Sequence, residues 1–307
     1  MITVHLLTKN NSKTIKKSLE SVNWADKILI ADLGSNDGTI QICEAADAEV
    51  FRLDRPRNEA RNFLIEKTTG PTIYIEPWEI VAQGHKTISE LSSRTYASIL
   101  QQKTIVKEIR AWVDKPKFVN PVYETIEGDG TESDILLYST GREDYSDLLP
   151  QLELWKEHCP TATAPHYYKA CTLLAIGKWQ QFLPVSEHYM FLDNSSSMPS
   201  IMNRYYFSMV QLINLKKVRP ALQNLTICLS VKPLMAEFWC LAGDVHYHLT
   251  KKFNIAKDLY QNAISLGSKR LKSDKWPMDL SKYKSYPLKM IDSCEKILNS
   301  KSLYITQ

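Results

Sequence analysis

The segment Lys27–Thr39, KILIADLGSNDGT, decides the fold class of this chain. It opens with the apolar run Ile28–Ala31, which is typical of a strand buried in a parallel sheet. Asp32 ends the run, and a turn rich in Gly, Ser, Asn and Asp precedes the apolar positions of a helix. Ligands of open α/β sheets bind at the carboxyl ends of strands, where Asp32 stands. The same residue types are also ordinary components of turns and N-caps, so both interpretations stay open for this segment.

The composition indicates a globular protein of two domains. The chain has 307 residues, of which 44% are hydrophobic, and its six cysteines show neither CxxC spacing nor pairing with histidines. This cysteine usage argues against a zinc site or a disulfide framework and favours a reducing compartment. We find no secretion signal and no apolar run of about 20 residues. The expected protein is therefore soluble and cytoplasmic, with no membrane partner.

The net charge of +4 hides an asymmetry between the two halves of the chain. Residues 1–150 contain 18 basic and 23 acidic residues, a net charge of −5. Residues 151–307 contain 20 basic and 11 acidic residues, a net charge of +9. An acidic partner is therefore expected to dock on the second half.

Apolar segments alternate between strand and helix periodicity in the first half. This alternation predicts a parallel sheet with right-handed crossovers. The predicted strands are 3–7, 28–31, 49–53, 71–75, 103–113 and 135–138, and the predicted helices are 13–22, 40–46, a segment within 55–70, and 84–95.

Charged side chains cluster at two places in this α/β half. Arg57 and Arg61 lie near the start of the helix within 55–70, and a guanidinium fork beside a nucleotide site suits a diphosphate. A solvated helix face is the alternative. Glu76 and Glu79 follow the strand 71–75, at the same sheet edge as Asp32. This edge is the predicted active-site edge.

Four segments, in this order, resemble family 2 glycosyltransferases of the GT-A fold: LTKNNSKTIKKSLESV, DKILIADLGSNDGT, RNEARN and TGPTIYIEPWE. Two later pieces, KFVNPVYE and LLYSTG, resemble the F-x-G-x-V-H-E and x-x-Y-H-x-G segments of a subgroup with a helical repeat tail. That subgroup includes bacterial enzymes that glycosylate peptides. The resemblance covers residues 2–145 and, more loosely, the tail. It implies a GT-A-like, Rossmann-like α/β domain at 1–145 that takes a hexose or pentose from a nucleotide sugar, expected to be UDP-linked, with inversion.

The resemblance also implies roles at the donor site. Asp32 and Asp37 match the acidic positions of the nucleotide loop, which recognise base and ribose. Arg61 matches the arginine that faces the nucleotide, with Arg57 beside it. Glu76 matches the first acid of the family's DxD motif, a contact of the ribose or sugar.

The general base of an inverting transfer is expected at Glu124. This residue matches the Glu next to a family histidine that the chain lacks, and transfer needs a group that takes the proton of the acceptor hydroxyl or thiol. A salt bridge at a strand end is the alternative role for Glu124.

The residues that would hold a divalent cation depart from the family pattern. Trp78 stands at the second acid of the DxD motif, and Tyr123 and Ser139 stand at the two histidines. An indole, a phenol and a hydroxyl make a poor site for Mg²⁺ or Mn²⁺, which favour carboxylate and water oxygens. The hypothesis is a site without the usual metal, or one without activity.

Without a cation, another charge must balance the diphosphate leaving group. Arg57, Arg61 or a basic residue of the tail is expected to do so. A shifted register with Glu76 and Glu79 as metal ligands is the less favoured alternative.

From residue 151 onward the pattern changes to long helical periods. Residues 233–267 combine small and aromatic residues at the spacing of a tetratricopeptide repeat, with a turn that is one residue longer. Residues 203–232 repeat the scheme more weakly, and 166–190 form a degenerate third unit. We predict a helical repeat domain at 151–300 that presents the acceptor or mediates homo-oligomerisation. A generic helical bundle would offer a similar docking surface.

Residues 268–290 interleave lysines with aromatic side chains, a combination that suits stacking on bases and neutralising phosphates. A solvated charged face is the alternative. The acceptor is therefore expected to be a peptide or protein held by the repeats, or DNA that carries a modified base. The competing class is a catalytically degenerate glycosyltransferase fold that binds protein or nucleic acid.

Overall fold

The computed structural model describes residues 1–142, 145, 148–271 and 274–305. Residues 272 and 273 of the basic segment 268–290 lie outside this description. The chain divides into two compact units, Met1–Asp144 and Tyr145–Gln307. Within the described residues, no helix has the length and apolar character that a membrane crossing requires.

The first unit is an α/β domain. Its strands are β1 (Thr3–Thr8), β2 (Lys27–Asp32), β3 (Glu49–Arg52), β4 (Thr72–Ile75), β5 (Glu79–Gln83), β6 (Thr95–Gln101), β7 (Thr104–Trp112), β8 (Phe118–Val119), β9 (Thr125–Ile126) and β10 (Leu136–Ser139). Its helices are α1 (Ile15–Glu20), α2 (Thr39–Glu44), α3 (Arg57–Glu66) and α4 (His85–Ser89).

The main sheet of this unit has the strand order β3-β2-β1-β4-β7-β6-β10-β5. The pairs β1–β2, β2–β3 and β1–β4 are parallel, as predicted for these four strands. Beyond β4 the sheet becomes mixed, because β7 runs antiparallel to both β4 and β6. The short strands β8 and β9 pair as a separate antiparallel hairpin.

Strand β1 is buried along its whole length because helices cover both faces of the sheet. Val4 and Leu6 belong to the core that includes Ile15 of α1. Leu7 belongs to a second core that includes Leu64 of α3. Helices α1, α2 and α4 therefore cover one face, and α3 covers the other.

The predicted helix 84–95 is wrong in its second half. Helix α4 ends at Ser89, and the chain enters β6 at Thr95. Strand β5 was not predicted either. Strands β6 and β7 form a hairpin whose turn places Gln102 at φ +53°, a position where a turn signal such as Asn-Gly is usual. The local sequence lacks that signal, and the distant strand β10 pairs with β6 on its other side, so long-range pairing decides this region.

The second unit is helical. Its helices are α5 (Leu148–His158), α6 (Ala164–Ala175), α7 (Trp179–Leu192), α8 (Met198–Val210), α9 (Val218–Val231), α10 (Ala236–Val245), α11 (Phe253–Gly267) and α12 (Ser285–Ile305). The π-helical turns Gln211–Leu215 and His246–Thr250 extend α8 and α10, and a short strand, β11 (Met278–Asp279), leads into the 3₁₀ turn Leu280–Tyr283. The expected order of an α/β domain followed by an all-α domain is thus confirmed.

Helices α6–α7, α8–α9 and α10–α11 form successive packed pairs that match the three predicted repeat units. Gly243 of α10 meets Tyr260 of α11 so closely that an added Cβ would lie 2.7 Å from the ring. The fully buried Ala256 and Ala263 flank this contact on α11. The π-helical turn at the end of α10 accommodates the additional residue of the turn, as single-turn π-bulges do.

Candidate functional site

The carboxyl ends of β1, β2 and β4 meet at one edge of the sheet. Thr8 pairs with Asp32, and Leu6 pairs with Ile75, the residue before Glu76. Asp32 and Glu76 therefore lie at the same edge, about 10 Å apart across the intervening strand. Because side chains alternate along a strand, Asp32 lies on the face of α1 and α2, whereas Glu76 lies on the face of α3.

The loops after β1 and β2 are joined by hydrogen bonds into one scaffold. The Asn10 amide donates to Ser35 Oγ over 2.9 Å, and the Asn36 amide donates to Asn10 Oδ1 over 2.9 Å. The Ser12 amide donates to Asp37 Oδ2 over 3.0 Å. The loops therefore hold each other in place at the sheet edge.

Asp32 shapes the turn that follows it. Its carboxylate accepts the backbone amides of Gly34, over 3.2 Å, and Ser35, over 3.1 and 3.2 Å, and the residue is 1% exposed. Gly34 adopts φ +87°, a conformation that favours glycine. The predicted base or ribose contact of Asp32 stays a prediction, since this carboxylate already has protein partners.

Asp37 is exposed at the same turn. Its carboxylate accepts the Ser12 amide and the Thr39 amide, the latter over 3.1 Å. Desolvation acts to raise the pKa of Asp37, but hydrogen bonds from Thr39 and Ser12 outweigh it and lower the pKa to about 2. Asp37 is thus an ionised, accessible carboxylate at the sheet edge.

Arg57, Arg61, Glu76 and Glu124 form one ion-pair group, which we call the arginine–glutamate cluster. Arg57 Nε donates to both oxygens of Glu124 over 3.1 Å, and its Nη2 lies 3.6 Å from Glu76 Oε2. Arg61 Nε donates to Glu124 Oε1 over 2.7 Å, and Arg61 Nη2 donates to Glu76 Oε1. The structure therefore brings together four of the six predicted site residues.

The side chains of the cluster are largely buried, and its two arginines and two glutamates give no net charge. The side chains of Arg61 and Glu124 are 2% and 4% exposed, whereas those of Arg57 and Glu76 are 10% and 12% exposed. Burial acts to raise the pKa of Glu124, but the adjacent Arg57 and Arg61 guanidinium groups hold it well below its usual range. A carboxylate in this state is a weak proton acceptor. Arg57 and Glu76 are the members that solvent reaches most.

Two cluster atoms keep unused hydrogen-bonding capacity. Arg61 Nη1 and Glu76 Oε2 are buried, and neither has a hydrogen-bond partner in the structure. Such groups are uncommon in folded proteins and call for a physical reason. A polar ligand or a water at the cluster would supply the hydrogen bonds that these two atoms lack.

Aromatic rings support the cluster from the sheet side. The Arg61 guanidinium lies 4.5 Å from the ring centroid of Tyr74 and 5.4 Å from that of Phe118. Arg110 lies 4.3 Å from the Tyr74 centroid, so two guanidinium groups share one ring. The contributions of Tyr74 and Arg110 were not predicted, because the sequence does not show which side chains of β4 and β7 meet.

Glu79 is bound to Arg110 rather than available to a ligand. Its oxygens accept Arg110 Nη1 over 3.1 Å and Nη2 over 3.0 Å, and they also accept the Glu76 amide over 2.8 Å. Burial raises the pKa of Glu79 to about 7, and Arg110 limits that rise. A metal site formed by Glu76 and Glu79 would have to break both of these arginine pairs.

The remaining side chains near this edge do not fit a divalent cation. The Arg142 guanidinium lies 5.7 Å from the Trp78 ring centroid, and Ser139 Oγ accepts the Gly141 amide over 3.1 Å. Across the part of the chain that the structure describes, no three His, Cys, Asp or Glu side chains are grouped as metal ligands. At this edge, protein N–H donors hold each of four carboxylates, those of Asp32, Asp37, Glu76 and Glu79.

The hairpin β8–β9 carries Glu124 to the cluster. The Asn62 side chain of α3 donates to the Phe118 carbonyl over 3.0 Å and accepts the Phe118 amide over 2.8 Å. In the hairpin, Asn120 and Tyr123 adopt φ +67° and +52°, which is unusual for residues other than glycine. The motif RNEARN thus has a second function that was not predicted: its last residue fastens the hairpin.

The profile described as "Glycosyl transferase family 2" matches residues 3–75. This segment spans β1 to β4 and includes Asp32, Asp37, Arg57 and Arg61. It thus covers both loops of the scaffold and the first part of the arginine–glutamate cluster.

Several solved structures are similar to parts of the chain. MamA (residues 41 to the end) from Desulfovibrio magneticus RS-1 is 18% identical, with 50% of this chain and 85% of that chain covered and a TM-score of 0.37. PcrH from Pseudomonas aeruginosa is 14% identical, with coverage of 50% and 96% and a TM-score of 0.35. Glucosyl-3-phosphoglycerate synthase from Mycobacterium tuberculosis, in complex with Mn²⁺, UDP and glucosyl-3-phosphoglycerate, is 17% identical, with coverage of 33% and 44% and a TM-score of 0.27.

The matched profile covers the strands whose carboxyl ends build the candidate site, and the segments quoted from the sequence fall in the same order along these strands. The second unit contributes the paired helices of a repeat domain. The chain thus joins an α/β unit that matches the family 2 glycosyltransferase profile over β1 to β4 to a helical unit of successive packed helix pairs.

Proposed function

We propose that this protein transfers a sugar from a nucleotide sugar, with UDP as the leaving group, to a macromolecular acceptor. The observation that carries the proposal is the arginine–glutamate cluster at the carboxyl edge of a family 2 domain. The nucleotide-loop aspartates and the paired arginines belong to the same sheet edge, with Asp32 on the face of α1 and α2 and the arginines on the face of α3. They offer carboxylate acceptors for base and ribose and guanidinium N–H donors for phosphates.

The proposed step is an inverting displacement. An acceptor oxygen or sulfur forms a bond to the anomeric carbon, the bond from that carbon to the diphosphate oxygen breaks, and the diphosphate leaves with the electron pair. The acceptor proton leaves to a base or to solvent. Charge develops on the diphosphate, and preorganised guanidinium groups stabilise developing negative charge.

Within this proposal Arg57 contacts the diphosphate, and Arg61 positions the diphosphate. Arg57 is the more exposed of the two, and it binds Glu124 through Nε and Nη2. Arg61 is 2% exposed and joins Glu76 to Glu124. The residues at this edge do not fit a divalent cation, so no step of the proposal involves one.

In this proposal Asp32 and Asp37 lie beside the base and the ribose. Asp32 holds the turn that contains Gly34, and Asp37 presents an ionised carboxylate to solvent. Glu76, at the end of β4, is proposed to contact the ribose or the sugar, since its Oε2 has no hydrogen-bond partner in the structure.

Glu124 is better suited to positioning the two arginines than to accepting a proton. Both arginines hold its pKa low, so it stays ionised and weakly basic at neutral pH. If Glu124 were the base, Glu124→Gln would abolish the pH dependence of the transfer rate. If Glu124 positions the arginines, the variant keeps the shape of the pH profile and loses donor affinity.

A second candidate function is binding of a nucleotide sugar without transfer. One observation favours it: Glu124, the expected base, is fully engaged with Arg57 and Arg61. The intact nucleotide loop and arginine pair argue for donor binding in either case.

Release of free nucleotide separates the two candidates. We would incubate the protein with UDP-glucose, UDP-N-acetylglucosamine and other nucleotide sugars, with EDTA or with Mn²⁺, and measure the UDP that is released as the sugar passes to water. The proposal predicts release in EDTA, and Arg57→Ala should reduce it about 10²-fold or more. The matched control is Arg55→Ala, since Arg55 is an exposed arginine just before α3. Binding of a nucleotide sugar without any release would establish the second candidate, and release only after Mn²⁺ is added would refute the metal-free step.

A further inference from the structure

Lysines occupy all three connections within the helix pairs of the second unit. The last two residues of each connection are Gly177 and Lys178 before α7, Lys216 and Lys217 before α9, and Lys251 and Lys252 before α11. We call the five lysines together the lysine edge. All five are exposed, and within the described residues none forms an ion pair.

The first of the two positions in each connection requires a left-handed backbone. Gly177, Lys216 and Lys251 adopt φ +74°, +55° and +57°. Glycine is the usual residue at this place after a helix, because a Cβ is strained there. Two of the three connections therefore hold lysine where local stability favours glycine.

The second of the two positions in each connection is a helix N-cap. Lys178, Lys217 and Lys252 precede α7, α9 and α11, and none of them makes a side-chain capping hydrogen bond. Ser, Thr, Asp and Asn are preferred at N-caps, and a cation is unfavourable at the positive end of the helix dipole. By contrast, α8 begins with Ser197, whose side chain accepts the Ser200 amide. Local stability thus gives no reason for lysine at these N-caps.

The three connections lie on one edge of the helical stack. Each helix from α6 to α11 packs against the next, and neighbours joined by short connections run antiparallel. The first helices of the three pairs therefore run in one direction and end on the same side. With about 10 Å between packed helices, the lysines recur about every 20 Å over about 40 Å.

The chemistry of this edge points to a stiff, evenly charged polyanion. The three connections contain no acidic residue. Two exposed isoleucines, Ile213 and Ile255, lie three residues from lysines of this edge, whereas the more exposed Phe191 lies at the other end of α7. Lysine ammonium groups act as point charges and bind phosphates without requiring a base sequence.

We propose that the lysine edge binds the phosphate backbone of double-stranded nucleic acid, without sequence specificity. A duplex keeps a straight axis over about 40 Å, because its persistence length far exceeds that distance, so its backbones can meet all three connections. The proposal concerns the helical unit and does not depend on the donor site or on sugar transfer.

The test uses the full-length protein and a 24-base-pair DNA duplex of random sequence, with binding measured by fluorescence anisotropy between 50 and 200 mM NaCl. The test variant combines Lys216→Gly, Lys217→Ser, Lys251→Gly and Lys252→Ser. It places the locally preferred residues at both positions of two connections, so its thermal midpoint should rise by a few degrees. The control variant combines Lys13→Gln, Lys17→Gln, Lys103→Gln and Lys117→Gln, exposed lysines of the α/β unit whose replacement removes the same charge.

Five phosphate contacts predict a slope of about −4.5 for log K against log salt, or roughly a 500-fold loss of affinity from 50 to 200 mM. The test variant should show a slope of about −1, so its affinity for the duplex should fall only about 3- to 4-fold over the same salt range. The control variant should keep the slope of the native protein. Equal losses in both variants would show a general charge effect and overturn the proposal. So would tighter binding of polyglutamate than of the duplex, or an undiminished slope in the test variant.

Discussion

At the scale of single residues, the candidate site depends on how two arginines are kept charged and oriented where little water reaches them. Arg61 has Glu76 and Glu124 as ionic partners and lies against the rings of Tyr74 and Phe118. Opposite charges and aromatic faces replace the solvation that burial removes. The cluster is therefore sensitive to the loss of any one charge.

The first prediction concerns Glu124. Glu124→Gln leaves Arg57 and Arg61 with one carboxylate between them, so we expect the free energy of unfolding to fall by about 3–5 kcal/mol. Urea denaturation at pH 7 measures it. The control is Glu127→Gln, an exposed acid in the same region, which should change the value by less than about 0.5 kcal/mol. A loss below about 1 kcal/mol for Glu124→Gln would mean that the cluster contributes little to folding.

The second prediction concerns His5, which lies inside β1. Burial, and then the charge of Arg61, lowers the pKa of His5 to about 3. Between pH 6.5 and 3 the unfolded chain binds a proton that the folded chain does not, so stability decreases as the pH falls. Between pH 7 and pH 5, the titration of His5 should lower the free energy of unfolding by about 2 kcal/mol.

The variant His5→Gln removes the titration and can keep a hydrogen bond to Thr68 Oγ1, which lies 2.6 Å from His5 Nε2. Stability curves at pH 5 and pH 7 should therefore differ by about 2 kcal/mol less in this variant than in the native protein. His85→Gln, at an exposed position, is the control and should keep the native difference. An unchanged pH dependence in His5→Gln would show that His5 is protonated in the folded state.

At the scale of elements, helix α3 and the hairpin β8–β9 act as one unit. The Asn62 amide pairs with both backbone groups of Phe118, as a neighbouring strand would. Through this contact and the Glu124 ion pairs, the hairpin is fixed over the arginines. Donor binding and hairpin order are therefore expected to be linked.

The third prediction is that Asn62→Ala loosens this hairpin. The change leaves the buried amide and carbonyl of Phe118 without partners, so the loss of stability should be about 1–3 kcal/mol. Hydrogen exchange at the Phe118 amide should become faster than in the native protein. Asn58→Ala, one turn earlier on α3, is the matched control, because Asn58 Oδ1 has no hydrogen-bond partner in the structure. If both variants exchange equally at Phe118, the hairpin is held by other contacts.

The fourth prediction concerns the contact between α10 and α11. In Gly243→Ala the added Cβ would lie 2.7 Å from the Tyr260 ring, so the helices must separate, at a cost of about 1–3 kcal/mol. Gly177→Ala is the matched control, since its Cβ meets open space and only the left-handed backbone opposes it, at about 1 kcal/mol. Thermal unfolding with both variants measures the difference. A smaller loss for Gly243→Ala than for Gly177→Ala would contradict the close packing.

Sequence reasoning succeeded where a local pattern was sufficient. The run around Ile28 identified a buried strand, and the repeat pattern around Gly243 identified a helix pair. It failed at β5 and β6, which both pair with the distant strand β10. Sequence reasoning also did not identify the ionic partners of Arg61, because the residue types of a motif do not show which distant carboxylate an arginine meets.

At the scale of the whole molecule, charge divides the chain into two parts with different chemistry. The α/β unit holds Arg57, Arg61 and Arg110 in ion pairs with glutamates, whereas the five lysines of the lysine edge in the helical unit have no ionic partner among the described residues. This division agrees with the net charges of the two halves of the sequence. A small donor and a large acceptor would therefore use different units.

Calorimetric titration of a UDP-sugar into the full-length protein in EDTA tests the central claim most directly. The account predicts saturable binding of one donor per chain, at least 10-fold weaker in Arg57→Ala and unchanged in Arg55→Ala. If the native protein shows no binding in EDTA at millimolar donor, whether or not Mn²⁺ restores it, the arginine–glutamate cluster does not replace the cation and the account is wrong.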